Sequence, residues 1–437
     1  MLKLLVIILA FISHEHEAIA QYGPPYSSVV IPVTKHTDVA KPVYSVEIMT
    51  SFVNMQFKTE NFLIDIDAPF IWHDCIVYWD MYPGKCPDDK FCHYPISCED
   101  QTCTWVRTDY SYRNPLCSPE TNRSNLPGYG VDCTCPLNVV NPVTGTCGGP
   151  ALLSENIFNV HKSNGRNVFN WTYISYPIGA CAPSSSYASF PANVTGVMAF
   201  STSLYALPEH FYQPLKKSLS LCLPSTSSSR GVMFFGTGPY YLLPHSNVDL
   251  MSYLSYTPLL KQPDSFGYFI HVKSIVIKTR YIKIPSNTIT KLSTIDSYTT
   301  LRTDIYNGVV QRFSKVTRRF KPAEPVAPFG YCFSTSNNND RRHVGFKVPD
   351  IDFVLIGRKK WTVSTSNSIK QVTKDVACLA FVDGGETSEP AIVIGTFMFE
   401  DNFVVFDIEN STFGFSSSLL HKHTSCSNFN FTLTHLP

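Results

Sequence analysis

Fourteen cysteines in a chain of 437 residues constrain this protein more than any other feature. Nine of them, Cys75, Cys86, Cys92, Cys98, Cys103, Cys117, Cys133, Cys135 and Cys147, crowd into one stretch; Cys181, Cys222, Cys332, Cys378 and Cys426 are spread over the rest. An even count in a chain bound for an oxidising compartment predicts a disulfide framework. The first residues support that destination. Lys3 precedes an apolar run from Leu4 to Ile12, and Ala18-Ile19-Ala20 is a small-residue cleavage pattern. Residues 1–20 therefore read as a signal peptide, too short in its apolar run to be a membrane anchor. No later apolar stretch approaches the roughly 18 residues that a membrane span needs. Cys98-x4-Cys103 and Cys133-x-Cys135 lack the paired CxxC spacing of zinc sites, so no metal is expected there.

Five N-x-S/T sequons, at Asn122, Asn170, Asn193, Asn410 and Asn430, are candidate glycosylation sites and mark expected surface positions. The formal net charge of +1 argues against a nucleic-acid binder, which shows a strong basic excess. Short segments rich in Val, Ile, Phe and Tyr recur between Gly, Pro, Asn and Ser. They predict strands near 44–53, 61–66, 168–176, 231–236, 268–277, 344–353, 391–394 and 402–407. Helical patterns are few: 208–220, interrupted by Pro214, and 303–317, with apolar residues at Ile305, Val309 and Phe313. The Cys-dense stretch 75–147 reads as long loops held by disulfides. A polar segment at 224–230 looks like a connection between two lobes, and 62–72 and 291–301 occupy similar places in the two halves.

Several motifs then point one way. Residues 392–416 give an apolar strand, Gly395, a Phe, a further strand, Phe406-Asp407, a turn and Gly414-Phe415. Residues 231–243 with 256–259, and 196–200, fit the opening of a second lobe and the end of a first. In order and spacing these resemble the pepsin-type aspartic proteases. The resemblance implies a mainly β, two-lobed pepsin-like β-barrel fold, with lobes at 21–222, carrying the Cys-rich insertion 75–147, and at 223–437. Such proteases use one carboxylate per lobe, each in an Asp-Thr-Gly loop, sharing a proton so that one acts as acid and the other as base.

The residues depart from that chemistry. Trp72 follows Asp65 by the family's spacing, so Asp65 holds the first catalytic position, but Asp67 replaces the glycine. In an extended segment Asp65 and Asp67 share a face and repel each other. In the second loop Ser293 stands where the second Asp belongs, Thr294 follows, and Ile295 replaces the glycine. A serine hydroxyl cannot share the proton, and Asp296, three residues on, would need a rebuilt loop. Asp65 and Ser293 are therefore read as vestigial, with Asp65 bonded to Ser293 or Thr294, and no catalytic residue is expected. No Gly-x-Ser-x-Gly or Gly-x-x-x-x-Gly-Lys motif, and no cofactor signature, is present.

Within this fold the chain resembles the plant group of cereal endoxylanase inhibitors, extracellular dermal glycoprotein, xyloglucan-endoglucanase inhibitors and basic seed globulins. Residues 327–334 and the tail from Gly414 through Cys426 to Thr432 carry that likeness. It implies a secreted protein of the plant extracellular space that inhibits microbial cell-wall hydrolases by placing a basic side chain in their cleft. A glycoside hydrolase cleft presents two carboxylates, and a cation between them makes charge-assisted hydrogen bonds. Two loops offer such groups: His421, Lys422 and His423 before Cys426, and Arg341, Arg342 and His343 after Cys332. Lys lacks the bidentate fork of Arg. Alternative readings are a storage or stress globulin, a ligand-binding protein using the old cleft, or an atypical active endopeptidase.

Overall fold

The computed structural model describes residues 26–434, apart from 53–55, 79–90, 110–132, 212–214 and 336–343. The expected signal peptide, Cys86, Cys117 and Asn122 therefore lie outside the described residues, as do Arg341, Arg342 and His343.

The chain is mainly β. A fifteen-stranded sheet runs through both halves of the molecule. At its centre the first strand, Ser28–His36, pairs antiparallel with Gly231–Gly236, placing Ser28 opposite Gly236 and Val33 opposite Gly231. Gly231–Gly236 pairs on its other side with Ser218–Cys222, which in turn pairs with Phe403–Asp407. Strands from the beginning, middle and end of the chain thus form one continuous ladder. Its residues alternate or are wholly apolar because both faces are covered, as Val232, Met233, Phe234 and Phe235 show, each no more than 1 % exposed.

Flanking this ladder, each half builds the same motif. In the first, Phe57–Asp65 runs parallel to Val194–Ala199, which pairs antiparallel with Ile71–Asp74, itself parallel to Val168–Ala182. In the second, Thr290–Leu292 runs parallel to Ile392–Ile394, which pairs antiparallel with Thr299–Leu301, itself parallel to Phe381–Asp383. The echo between 62–72 and 291–301 is this repeat. Each copy ends its first strand at a loop that faces the other copy.

Two local expectations change. Among its described residues, the segment 208–220 holds no α-helix. Leu207–His210 makes a 3-10 turn and Ser218–Cys222 is a strand. Strand pairing on both sides outweighs the weak helical spacing there. The stretch 75–147 is more ordered than loops alone. It contains the helix Gln101–Asp109, held by Cys98–Cys133 and Cys103–Cys135, and a strand Pro136–Asn141. That strand lies on Thr146–Ser163, half of a long hairpin with Val168–Ala182. Helix Thr303–Val316 forms as its spacing predicts, burying Ile305, Val309 and Phe313. Cys75–Cys181, Cys222–Cys426 and Cys332–Cys378 are also bridged, Cys92 and Cys147 lie in disulfides too, and no described cysteine is a free thiol.

A buried ion pair closes the seam between the halves. Lys35 Nζ, on the first strand, donates to Glu400 Oε1 at 2.7 Å and to the Ser225 carbonyl at 2.8 Å. The Tyr44 hydroxyl donates to the same Glu400 oxygen at 2.7 Å. Lys35 is 4 % and Glu400 6 % exposed, and burial holds the Glu400 carboxyl above its usual range against the pull of Lys35. Removing one member of such a pair strands the other charge, at a cost of about 3–5 kcal/mol. Lys35→Met should therefore lower stability by that amount in urea unfolding. Adding Glu400→Gln, which keeps an acceptor for Tyr44 without the charge, should recover much of the loss.

Candidate functional site

The two repeats bring their loops together in a cleft with a cavity of about 390 Å³. Its polar lining is Asp65, Asp67, Lys291, Ser293 and Asp296 together with Lys41 and Asn138, and Trp72 is among its apolar walls.

Asp65 ends the strand Phe57–Asp65 and is 7 % exposed. Its Oδ1 accepts from the backbone N–H of Asp67 at 2.8 Å and of Ala68 at 3.2 Å. It bonds neither Ser293 nor Thr294, contrary to expectation; its own loop satisfies it. Thr294 instead grips the backbone on either side of Asp65. Its hydroxyl donates to the Ile64 carbonyl at 2.8 Å and accepts from Ile66 N–H at 3.3 Å. The repeat equates Thr294 with Ile66, which has no hydroxyl, so this grip runs in one direction.

Ser293 copies in miniature what Asp65 does. Its Oγ accepts from Ile295 N–H at 3.2 Å and Asp296 N–H at 3.0 Å, the same second and third residues onward. The hydroxyl also donates to Asp296 Oδ2 at 2.8 Å. No rebuilt loop is needed to bring Asp296 into the cleft. A one-carbon-shorter side chain at 293 holds the turn, and the carboxylate that the loop retains is displaced by three residues. Among the described residues, no hydrogen bond joins Asp65 to Asp296.

Asp67 does not simply oppose Asp65. Its Oδ2 forms an ion pair with Lys291 from the other half, and its Oδ1 accepts from Ser265 Oγ at 2.8 Å. Lys291 went unremarked in the sequence as a functional candidate. The signal was available, since the internal echo places it two residues before Ser293, where the first repeat has Leu63. A cation at that register points across the cleft floor at the anion occupying the glycine position. Burial is the main reason the Asp65 carboxyl is pushed up to about 6; the Asp67 charge adds to this, while Lys291 and the two backbone donors oppose it.

The other predicted groups lie elsewhere. His421 and Lys422 close a 3-10 turn, Leu419–Lys422, and His423 caps it with a left-handed backbone, φ 56°. All three side chains are exposed, and none lines the cleft cavity. Lys422 Nζ lies 5.3 Å over the Tyr253 ring. Asn170, Asn193, Asn410 and Asn430 are exposed. His73, Cys75 and His93 place potential ligand atoms within 4.8 Å of one another, but Cys75 is bonded to Cys181. His73 is occupied as well, by Glu60 at 3.3 Å and Asn156 at 3.0 Å. Burial opposes ionisation of Glu60, yet His73 and Lys58 hold its carboxyl down at about 2. This cluster is internal electrostatics of the first half rather than a metal centre.

The family model described as xylanase inhibitor N-terminal matches residues 49–237, and that described as xylanase inhibitor C-terminal matches 267–417. The chain belongs to the xylanase-inhibitor family. It is similar to Chitinase CLP of Oryza sativa subsp. japonica, 32 % identical over 396 residues, covering 85 % of this chain and 86 % of that protein. Probable aspartic proteinase GIP2 of Nicotiana benthamiana is 30 % identical and covered to 92 % in both chains. Gamma conglutin 1 of Prunus dulcis is 35 % identical, covering 77 % and 80 %. The solved structure of edgp superposes with a TM-score of 0.78 at 30 % identity, covering 93 % of this chain and 98 % of that one. The fold is thus that of the pepsin-like xylanase-inhibitor branch, whose members carry proteinase and globulin names alike.

The raised Asp65 pKa fixes the sign of a stability effect. The folded state holds this proton more tightly than the unfolded chain does. Stability from this group is therefore full below an ordinary aspartate pKa near 3.8 and is lost as pH rises to about 6. The size is roughly 3 kcal/mol. Asp65→Asn keeps the Oδ1 acceptor and removes the titration. Relative to that variant, wild-type stability should fall by about this amount between pH 3.5 and 7, followed by urea unfolding at each pH.

Proposed function

We propose that this protein is a secreted, proteolytically inactive member of its family that inhibits microbial cell-wall glycoside hydrolases, endoxylanases or xyloglucan endoglucanases, in plant defence. The observation that carries the reading is the fate of the second loop. Ser293 spends its hydroxyl on its own turn and on Asp296, and Asp67, at the glycine position, is paired with Lys291 across the cleft floor. Proton sharing between two equivalent carboxylates has no partner for Asp65 at position 293. The inhibitory contact is assigned to the basic turn at 421–423. Its exposed cations stand away from the cleft, and Cys222–Cys426 anchors the chain just beyond them. Disulfides throughout the chain fit an oxidising, extracellular setting. The second basic group, Arg341, Arg342 and His343, is kept as a further contact in the same proposal.

A ligand-binding role in the old cleft is the second reading, favoured by the 390 Å³ cavity with its mixed apolar and charged lining. A globulin role draws on the conglutin and basic 7S globulin relatives.

Two experiments separate these. The first is peptide hydrolysis across pH 2–7. No turnover is expected from the wild type or from Ser293→Asp, because Asp67 and Ile295 still occupy the glycine positions; wild-type turnover abolished by Asp65→Ala would overturn the reading. The second is inhibition of a panel of xylanases and xyloglucanases from pH 4.5 to 8. His423 has a left-handed backbone, which Asn tolerates and Ala resists, so His423→Asn is the clean substitution. Truncating a charge-assisted contact in a desolvated cleft costs about 2–5 kcal/mol. An imidazolium gripped by carboxylates has a bound-state pKa above the ~6.5 of an unperturbed imidazole. Its contribution is full below that free value and lost as pH climbs through the bound one, whereas Lys422 stays charged throughout. Loss of inhibition in His423→Asn that fades as pH rises identifies the imidazole, and a pH-independent loss in Lys422→Ala identifies the lysine. Unchanged inhibition in both transfers the role to Arg341 and Arg342.

A further inference from the structure

One buried residue holds the basic turn from beneath at both of its ends. Asp401, 1 % exposed, lies directly after Glu400 of the seam ion pair and has a left-handed backbone, φ 50°. Its carbonyl accepts from Leu419 N–H at 2.7 Å, at the start of the turn. Its Oδ1 accepts from Cys426 N–H at 2.9 Å, at the end. Its own N–H donates to the Leu223 carbonyl at 2.9 Å, one residue beyond Cys222, the disulfide partner of Cys426. The chain between these two grips carries His421, Lys422 and His423. Within it, Thr424 N–H and His423 N–H return to the Leu419 and Leu420 carbonyls at 3.3 and 3.2 Å. The Thr424 hydroxyl is tied to the Leu243 carbonyl at 2.6 Å.

We infer that Asp401 is the positioning residue of the basic turn: it clamps both ends of 419–426 and couples them to the seam between the halves, so that the exposed cations are presented to a partner in one preset geometry. The inference rests on the reading that this turn docks into an acidic cleft. A preformed loop does not have to be ordered on binding, and that saving appears as affinity. The left-handed backbone is part of the device. It turns the carbonyl of Asp401 toward Leu419 while the side chain reaches Cys426, two directions that an extended residue could not serve together. Asp and Asn tolerate this conformation better than most residues with a side chain, and glycine tolerates it freely.

Two variants of the full-length protein test this. Asp401→Gly keeps the backbone conformation and removes the Oδ1 grip. Asp401→Asn keeps both, removing the charge and exchanging the second side-chain oxygen, which has Ser225 beside it, for an amide nitrogen. By hydrogen exchange, Asp401→Gly should speed exchange across 419–426 about tenfold, the loss of one buried hydrogen bond. Asp401→Asn should stay within about threefold of wild type on the same scale. Exchange in the distant strand Phe57–Asp65 should be unchanged in both, which a general loss of stability would not allow. Against a hydrolase that the wild type inhibits, Asp401→Gly should weaken inhibition about tenfold and Asp401→Asn should restore it. Unchanged exchange over 419–426 in Asp401→Gly overturns the clamp, as does faster exchange everywhere in both variants. Faster local exchange with undiminished inhibition overturns its role in presentation. Should the wild type inhibit no hydrolase of the panel, the docking reading fails, while the exchange comparison still decides whether Asp401 clamps the turn.

Discussion

Lys35 and Glu400 meet where water has been excluded, and much of the architecture is arranged so that they can. A buried ion pair is tolerated only when its geometry is good and its remaining hydrogen-bonding capacity is used. Here the lysine is completed by the Ser225 carbonyl, between the strands Ser218–Cys222 and Gly231–Gly236, and the carboxylate by the Tyr44 hydroxyl. The pair therefore fixes the first strand, the connection and the closing turn of the second half against one another. Hydrophobic burial drives these elements together, but it is indifferent to register. A charge that must find one partner is not, and a slip of one residue on the first strand would carry Lys35 to the wrong face.

From this fixed frame the two facing loops have diverged without losing their shape. Asp65 and Ser293 each use a side-chain oxygen to hold the second and third backbone donors onward. That shared task explains why serine is acceptable at position 293. The fold asks for an acceptor there, and only the chemistry asks for a carboxylate. The glycine positions have become Asp67 and Ile295, and the charge so introduced is balanced from across the cleft by Lys291. The cleft remains a cavity with polar groups, and one of its carboxylates is now tied up in an ion pair across the floor.

Much of this was legible in the residues. The repeated strand–loop–strand pattern, the spacing from Asp65 to Trp72 and the closing Gly-Phe tail located the fold and both loops. Local patterns could not show how far a side chain reaches across the cleft. Lys291 looked like an ordinary strand lysine, and only the pairing of the two repeats opposes it to Asp67. The same limit hid Asp401, whose partners at 223, 419 and 426 are remote or lie past a turn. It also misjudged 208–220, where pairing with strands from 231–236 and 403–407 decided the outcome. Helix Gln101–Asp109 was missed because its apolar anchors include Cys103, tied by a bridge that spacing alone does not reveal.

The central ladder also has a consequence for how the chain is made. Ser218–Cys222 pairs with Phe403–Asp407, and Cys222 is bonded to Cys426 across a sequence separation of 204 residues. Translation proceeds at roughly 5–20 residues per second, so one edge of that strand and its thiol wait on the order of 10–40 seconds for their partners to emerge. Through that interval the nascent chain carries an open strand edge, the kind of template on which chains aggregate, beside a cysteine able to pair with any of those already made. The last third of the sequence is what protects the first two, and truncations that remove it should be recovered mainly as disulfide-linked aggregates.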